Sequence, residues 1–366
     1  MLEKGKISLR QFSVLVILIT VGGSMINAPA FIAAYAKQDA WLVPFIGMGV
    51  GLLMAWLYTS LKSMFPDQTL VEYSERILGK WMGKALSLVF ILHFFVTSAL
   101  LLRLGSDFII VQILMETPLE VIHILFVLIV VMGVGLGIET LARMGELVLP
   151  VLFLLILVLF LGNITNIEIR NLQPMLVEGL SPVLKGTLVF TNITFFELVY
   201  LMILPRVNRV KGIYPAFAKG ILIGGGVLWA GVFSAVSVLG VDATVRSIYP
   251  SYTLAKSISI ANIIEGIEVF ITILWIVTTY FKLALYFYAA VVGLAQTFEL
   301  RTYRAVLLPL GMILVILAVV ISPNEVVFMT LMKSRSWFYY SAVVALLIPL
   351  ILFFVAKVRK KQDWNG

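Results

Sequence analysis

The feature that most limits what this chain can become is the recurrence of long apolar runs. Stretches able to cross a bilayer, which takes about 20 residues as helix, fall at roughly 9–35, 40–65, 84–114, 118–138, 145–163, 183–204, 214–239, 262–292, 304–322 and 337–356. With 61% hydrophobic and 13% charged residues, far from the soluble average of about 45–50% and 25%, there is little room for a separate soluble domain. The whole chain, 1–366, is expected to be a single integral membrane domain. It is all-α, because only a helix or a closed barrel satisfies its own backbone in hydrocarbon, and runs of this length are helical.

Ten spans put both termini on one side. The loops of that side hold Lys4, Lys6, Arg10, Lys62, Arg76, Lys80, Lys84, Arg143, Arg206, Arg209, Lys211, Lys219, Arg301, Arg304, Lys357, Arg359, Lys360 and Lys361. The opposite loops hold only Lys37, Arg170, Lys185, Arg246, Lys256, Lys333 and Arg335. The positive-inside rule then places both termini in the cytoplasm, and the net charge of +8 reads as an orientation signal with no nucleic acid partner. Ala28-Pro29-Ala30 and Ala34-Tyr35-Ala36 mimic signal-peptide cleavage sites, but the apolar length and the further spans argue against removal.

Within this framework one stretch stands out. Gly22-Gly23-Ser24-Met25-Ile26-Asn27-Ala28-Pro29 sits in the middle of the first span, where freed backbone groups cost several kcal/mol unless something satisfies them. Transporters place such broken helices around a midplane binding site. The alternative is a kinked or tightly packed helix, since Gly and Pro are common in membrane helices.

The sixth span carries Thr191-Asn192-Ile193-Thr194-Phe195-Phe196-Glu197, with Glu197 its only deep carboxylate. It has no Gly or Pro at its centre, which weakens the case for a second break. Lys282, in the long eighth span, needs a carboxylate or carbonyls, or else snorkels. Arg103 and Asp107 in the third span are four apart, so they share a helix face and can neutralise one another. Intramembrane charges default to functional candidates. Glu197, Lys282, Arg103 and Asp107 are therefore candidates for proton or ion coupling or for internal pairing, with pairing favoured for Arg103 and Asp107. His93 reads as a satisfied interior histidine.

Outside the spans, Leu70, Tyr73, Ile77, Leu78 and Trp81 make one helical face, read as an interfacial helix lying on the membrane. The segment Gly240 to Ile260 reads as the longest polar loop. The ninth and tenth spans carry few distinguishing residues.

The spans of the second half follow those of the first at offsets of about 174 to 192 residues, and the third and eighth are the long ones. Each half has an odd number of spans, so the second is inverted. This predicts a five-plus-five inverted repeat, about 9–163 and about 183–356, with an interrupted first helix and the sixth as a candidate second interruption. Candidate ligand-binding residues are Gly22, Gly23, Ser24, Asn27, Thr191, Asn192, Thr194 and Phe195.

No cysteine is present, which excludes disulfides and thiolate chemistry. No nucleophile–base set or metal-ligand spacing appears, so no enzyme activity, metal or cofactor is expected.

Gly22 and Pro29 with small or polar residues between them, Leu78-Gly79-Lys80-Trp81-Met82-Gly83, and Asn171-Leu172-Gln173-Pro174 followed by Glu178-Gly179-Leu180-Ser181-Pro182 resemble the GerAB-like spore germination proteins. These are the B subunits of bacterial endospore germinant receptors, within the amino acid/polyamine/organocation transporter superfamily. Glu197 before Leu204-Pro205 and the region Glu268 to Ile276 also match. The loop motif is the most specific of these. That family often has a second Gly where Ser24 stands and a less polar residue in place of Asn27. The resemblance implies a LeuT-like fold in the spore inner membrane, recognition of a small germinant such as an amino acid or sugar, and assembly with an A-type membrane subunit and a C-type lipoprotein. A proton-coupled amino acid permease is the alternative function.

Overall fold

The computed structural model describes residues 5–258 and 268–362. Helix α1 (Leu9–Val21) begins at a capping box, in which Gln11 N donates to Ser8 Oγ at 3.1 Å and Ser8 N donates to Gln11 Oε1 at 2.9 Å. It stops at Gly22, and residues 22–27 form turns. The chain resumes as α2 (Ala28–Ala36), with Pro29 in its first turn, where the missing N–H has no helical partner to lose. A short turn leads to α3 (Val43–Met64). Then come α4 (Leu70–Leu78), the 33-residue α5 (Lys80–Gln112), α6 (Leu119–Leu136) and α7 (Ile138–Gly162).

The second half opens with α8 (Ser181–Thr194), breaks at residues 195–199, and resumes as the short α9 (Tyr200–Ile203). Helix α10 (Ile213–Ser234) runs on through a π turn to Leu239 and is followed by α11 (Gly240–Arg246) and α12 (Pro250–Lys256). Helix α13 (Glu268–Thr297) spans 30 residues; the expected start of its span near 262 lies outside the described residues. The chain closes with α14 (Leu307–Ile321), α15 (Glu325–Lys333), α16 (Arg335–Ala342) and, after a second π turn, α17 (Ile348–Gln362).

Among the described residues, eight helical stretches are long and apolar enough to cross a membrane, the first running from Ala28 through Met64. The expected count of ten divides that first stretch at α2 and adds the broken α8–α9 segment. Helix α1 is the shorter apolar piece before the first break.

Helices α5 and α13 pack along one another at the centre; α1 lies against α7, α10 and α13, while α2 lies against α8. From Thr278 to Val292 every residue of α13 is buried. The periphery shows the opposite pattern: Leu147, Met312 and Val320 are 78%, 64% and 68% exposed. Apolar faces of this kind are unfavourable in water and suit lipid contact.

Three sequence expectations change. Within the expected polar loop, described as far as residue 258, lie two helices, α11 and α12. The apolar face of α4 does not lie free for a membrane: Leu70, Val71, Tyr73 and Ile77 are buried against α5, α13 and α17, and only Trp81, at the start of α5, stays 87% exposed. An extra helix, α15, occupies the connection after α14.

The loop motif at 171–182 acts as a staple. Asn171 Nδ2 donates to Ser237 O at 2.9 Å, and Leu176 N donates to both Asp39 oxygens at 3.0 and 3.1 Å. Gln38 Nε2 donates to Pro174 O at 2.8 Å, and Lys37 pairs with Glu178 at 2.5 Å. These contacts tie the end of α2 to the π turn after α10.

Candidate functional site

The two interruptions meet. In the first, Gly23 adopts φ +76°, a left-handed conformation that costs other L-residues about 1–2 kcal/mol. A Cβ at Gly22 would lie 2.4 Å from the backbone oxygen of Thr278, so only glycine lets α1 approach α13 this closely. In the second, Phe195 N and Phe196 N both bond to Thr191 O, at 2.8 and 3.0 Å. The second of these bonds skips the Asn192 carbonyl and ends α8, and with residue 197 out of the helix the carbonyl of Ile193 is left to partners from elsewhere. Ser24 Oγ donates to it at 2.9 Å and Lys282 Nζ at 3.3 Å.

Lys282 Nζ also lies 2.6 Å from Glu197 Oε1, and Tyr286 OH donates to Glu197 Oε2 at 2.5 Å. All three side chains are almost wholly buried. A buried charge is tolerated when paired and hydrogen-bonded, and both carboxylate oxygens have a donor here. The second break thus needs no central Gly or Pro. Its freed carbonyl is satisfied across helices, by groups far away in sequence.

Beside this network is a cavity of about 90 Å³, room for on the order of six water-sized groups. Its wall combines Gly23, Ser24, Asn27, Ala28 and Phe31 from the first break and α2 with Asn192, Ile193, Phe196 and Glu197 from the second. One face of α5 adds His93, Thr97, Leu100, Leu101 and Leu104; α13 adds Lys282 and Tyr286; Phe328, Met332, Trp337 and Ser341 come from α15 and α16. Asn27 Oδ1, Thr97 Oγ1, Asn192 Oδ1 and both ring nitrogens of His93 are buried without a protein hydrogen-bond partner. Each such group costs about 1–3 kcal/mol if left unmatched.

Gly23, Ser24, Asn27, Asn192, Glu197 and Lys282 from the sequence-based candidates come together here. Gly22 instead packs on α13. Thr191 Oγ1 turns back to Thr187 O at 2.9 Å, Thr194 is buried away from the cavity wall, and the Phe195 ring packs on Phe190 at 5.7 Å. Arg103 and Asp107 form a pair, Nε to Oδ2 at 2.8 Å, and Arg103 Nη2 reaches Pro323 O at 3.4 Å. They lie outside the cavity wall, beyond Leu104.

His93 is not the internally satisfied histidine expected from sequence. The α5 spacing 93, 97, 100, 101, 104 is one helical stripe, a signal that was available without the fold. Trp337 and Ser341 form a second i, i+4 pair. On α15, Phe328 and Met332 form a third such pair.

A family model described as spore germination protein matches residues 6–326. The chain belongs to the spore germination protein family. Spore germination protein KB of Bacillus subtilis is 30% identical over 99% of this chain and 97% of its own length. Spore germination protein YndE of the same organism is 26% identical over 98% of each. Among solved structures, MhsT in complex with L-phenylalanine has a TM-score of 0.69 at 14% identity, covering 96% of this chain and 100% of that one. Mhp1, a nucleobase-cation-symport-1 family transporter, also scores 0.69, at 11% identity, covering 96% and 78%. These likenesses establish the fold of this family member as the all-α, LeuT-like transporter fold, an integral multi-pass membrane architecture.

Proposed function

We propose that this chain is the germinant-sensing membrane subunit of a spore germination receptor and binds a small molecule, an amino acid first among candidates, in the cavity between the two breaks. The observation that carries this reading is that four residues with buried, unpartnered polar atoms, Asn27, Thr97, Asn192 and His93, line one cavity in a chain of the spore germination family. Gly23, Ser24, Asn27 and Asn192 contact the ligand, whereas Gly22, Thr191, Thr194 and Phe195 shape the breaks. A ligand that matches these atoms better in one arrangement of the helices than in another shifts the balance between them; tight binding without that difference shifts nothing.

The basic loops support both termini on the cytoplasmic side, in the spore inner membrane, with inverted halves at about 9–163 and 183–356. An A-type membrane subunit and a C-type lipoprotein receive the signal, and no catalysis is involved. The test is a germinant screen in spores lacking this chain. Loss of response to one nutrient, restored by the intact gene, is the expected result; an unchanged nutrient profile overturns the reading.

A second reading, a proton-coupled amino acid permease, is supported by the buried Glu197–Lys282 pair in a fold shared with transporters. Proteoliposomes separate the two. Gradient-driven accumulation of labelled amino acid by this chain alone would favour the permease.

A further inference from the structure

The second break presents an unusual concentration of negative character. Helix α8 ends at Thr194, so its last carbonyls carry the negative end of the helix dipole, and the Glu197 carboxylate lies three residues further on. In transporters built on broken helices, freed carbonyls and the C-terminal ends of half-helices coordinate a monovalent cation. Here the position is filled from within. The ammonium of Lys282 lies 2.6 Å from Glu197 Oε1 and 3.3 Å from Ile193 O, and the side chain is 5% exposed. It comes from α13, the same helix whose Thr278 carbonyl touches Gly22 of the first break.

We propose that the Lys282 ammonium is a tethered cation occupying a monovalent-cation site at the end of α8, so that the assembled cavity requires no sodium or potassium. The charge balance is local: one carboxylate, one ammonium, a carbonyl shared with Ser24, and the Tyr286 hydroxyl on the remaining carboxylate oxygen. Removing the ammonium leaves Glu197 Oε1 and the Ile193 carbonyl facing the space it held, with the oxygen ligands that a small hard cation prefers. The inference concerns the cation site alone and holds whether the cavity senses or transports its ligand.

The experiment uses the full chain purified in detergent. Thermal unfolding and ²²Na⁺ binding are measured in sodium chloride against N-methyl-D-glucamine chloride at equal ionic strength, with potassium and methylammonium as further probes. The wild-type midpoint is expected to stay within about 1 °C across these salts, with no saturable sodium binding. Lys282→Ala is expected to gain a midpoint increase of about 4 °C or more in at least one of the small cations, with saturable binding of about one ion per chain. If Lys282→Ala does not accumulate as folded protein, methylammonium during solubilisation is expected to restore its yield by replacing the lost ammonium. Saturable, stabilising sodium binding by the wild type overturns the proposal. So does a Lys282→Ala protein that no cation stabilises, binds or rescues.

Discussion

The hydroxyl of Ser24 donates to the backbone oxygen of Ile193 at 2.9 Å, so the interruption of the first membrane segment is hydrogen-bonded to the interruption of the sixth. The two residues are 169 positions apart, and the Ser24 hydroxyl satisfies a carbonyl that the sixth segment's helix gave up. Ser24 stands in a stretch with no regular helix. Ile193 has lost its helical donor because Glu197, four residues on, lies outside the helix that ends at Thr194.

Ser24→Ala is expected to lower stability by about 1 kcal/mol, the net worth of one such bond, without unfolding the protein. Lys282 still holds the Ile193 oxygen, so the break keeps one partner. Thermal unfolding of the purified protein should show a drop of a few degrees. An unchanged midpoint would mean that this bond contributes nothing.

The adjacent glycines are expected to behave differently. Gly22→Ala sets a Cβ against the Thr278 backbone oxygen, which no side-chain rotation relieves, so folded yield by size-exclusion chromatography should fall sharply. Gly23→Ala meets a flexible Leu101 side chain at 3.0 Å and mainly incurs the left-handed backbone cost of about 1–2 kcal/mol. Gly23→Leu fills the cavity wall and should abolish the germinant response in spores while the protein still inserts in membranes.

Glu197→Gln leaves the Lys282 ammonium buried without its counter-charge, and breaking a buried pair from one side costs about 3–5 kcal/mol. Replacing both, Glu197→Gln with Lys282→Met, should recover a large part of that loss. Denaturant unfolding of the two single variants and the double measures the coupling. Additive losses would show that the two charges do not interact.

Trp337 lines the cavity, so its fluorescence should report occupancy. Adding the nutrient to which the spores respond is expected to change the emission of the wild-type protein in a saturable way. The same titration of Trp337→Phe should show most of that change lost. An equal change in both proteins would move the binding event elsewhere.

At the terminal end of the bundle, Ile7 forms a parallel bridge with Val207, through Ile7 N to Arg206 O at 2.8 Å and Asn208 N to Ile7 O at 2.9 Å. The chain has no cysteine, so Ile7→Cys with Val207→Cys introduces the only thiols. Oxidation should cross-link them, since bridged residues sit within disulfide reach. If the response requires the first segment to leave residues 205–208, the cross-link should block it and reductant should restore it.

Much of this protein was legible in its sequence because the bilayer is an exacting solvent. Runs of apolar residues at spanning length dictate helices, and a Gly-Gly-Ser-Met-Ile-Asn-Ala-Pro string cannot continue one. Gly23, Ser24, Asn27 and Asn192 could be named as candidates because polar groups at membrane depth are costly and need a reason.

The tertiary structure decided which partners those groups have. Whether α8 breaks depended on a hydroxyl and an ammonium arriving from the first break and α13, and no local pattern around Phe195 records them. Glu197 and Lys282 were visible as isolated charges; only the crossing of α13 over the second break brought them to 2.6 Å. Arg103 and Asp107, on one helix at i, i+4, could be paired from spacing alone, yet their position beyond the cavity wall could not. Periodicity reports which face of a helix is apolar. It does not report which helix, 89 or 169 residues away, will supply the missing hydrogen bond.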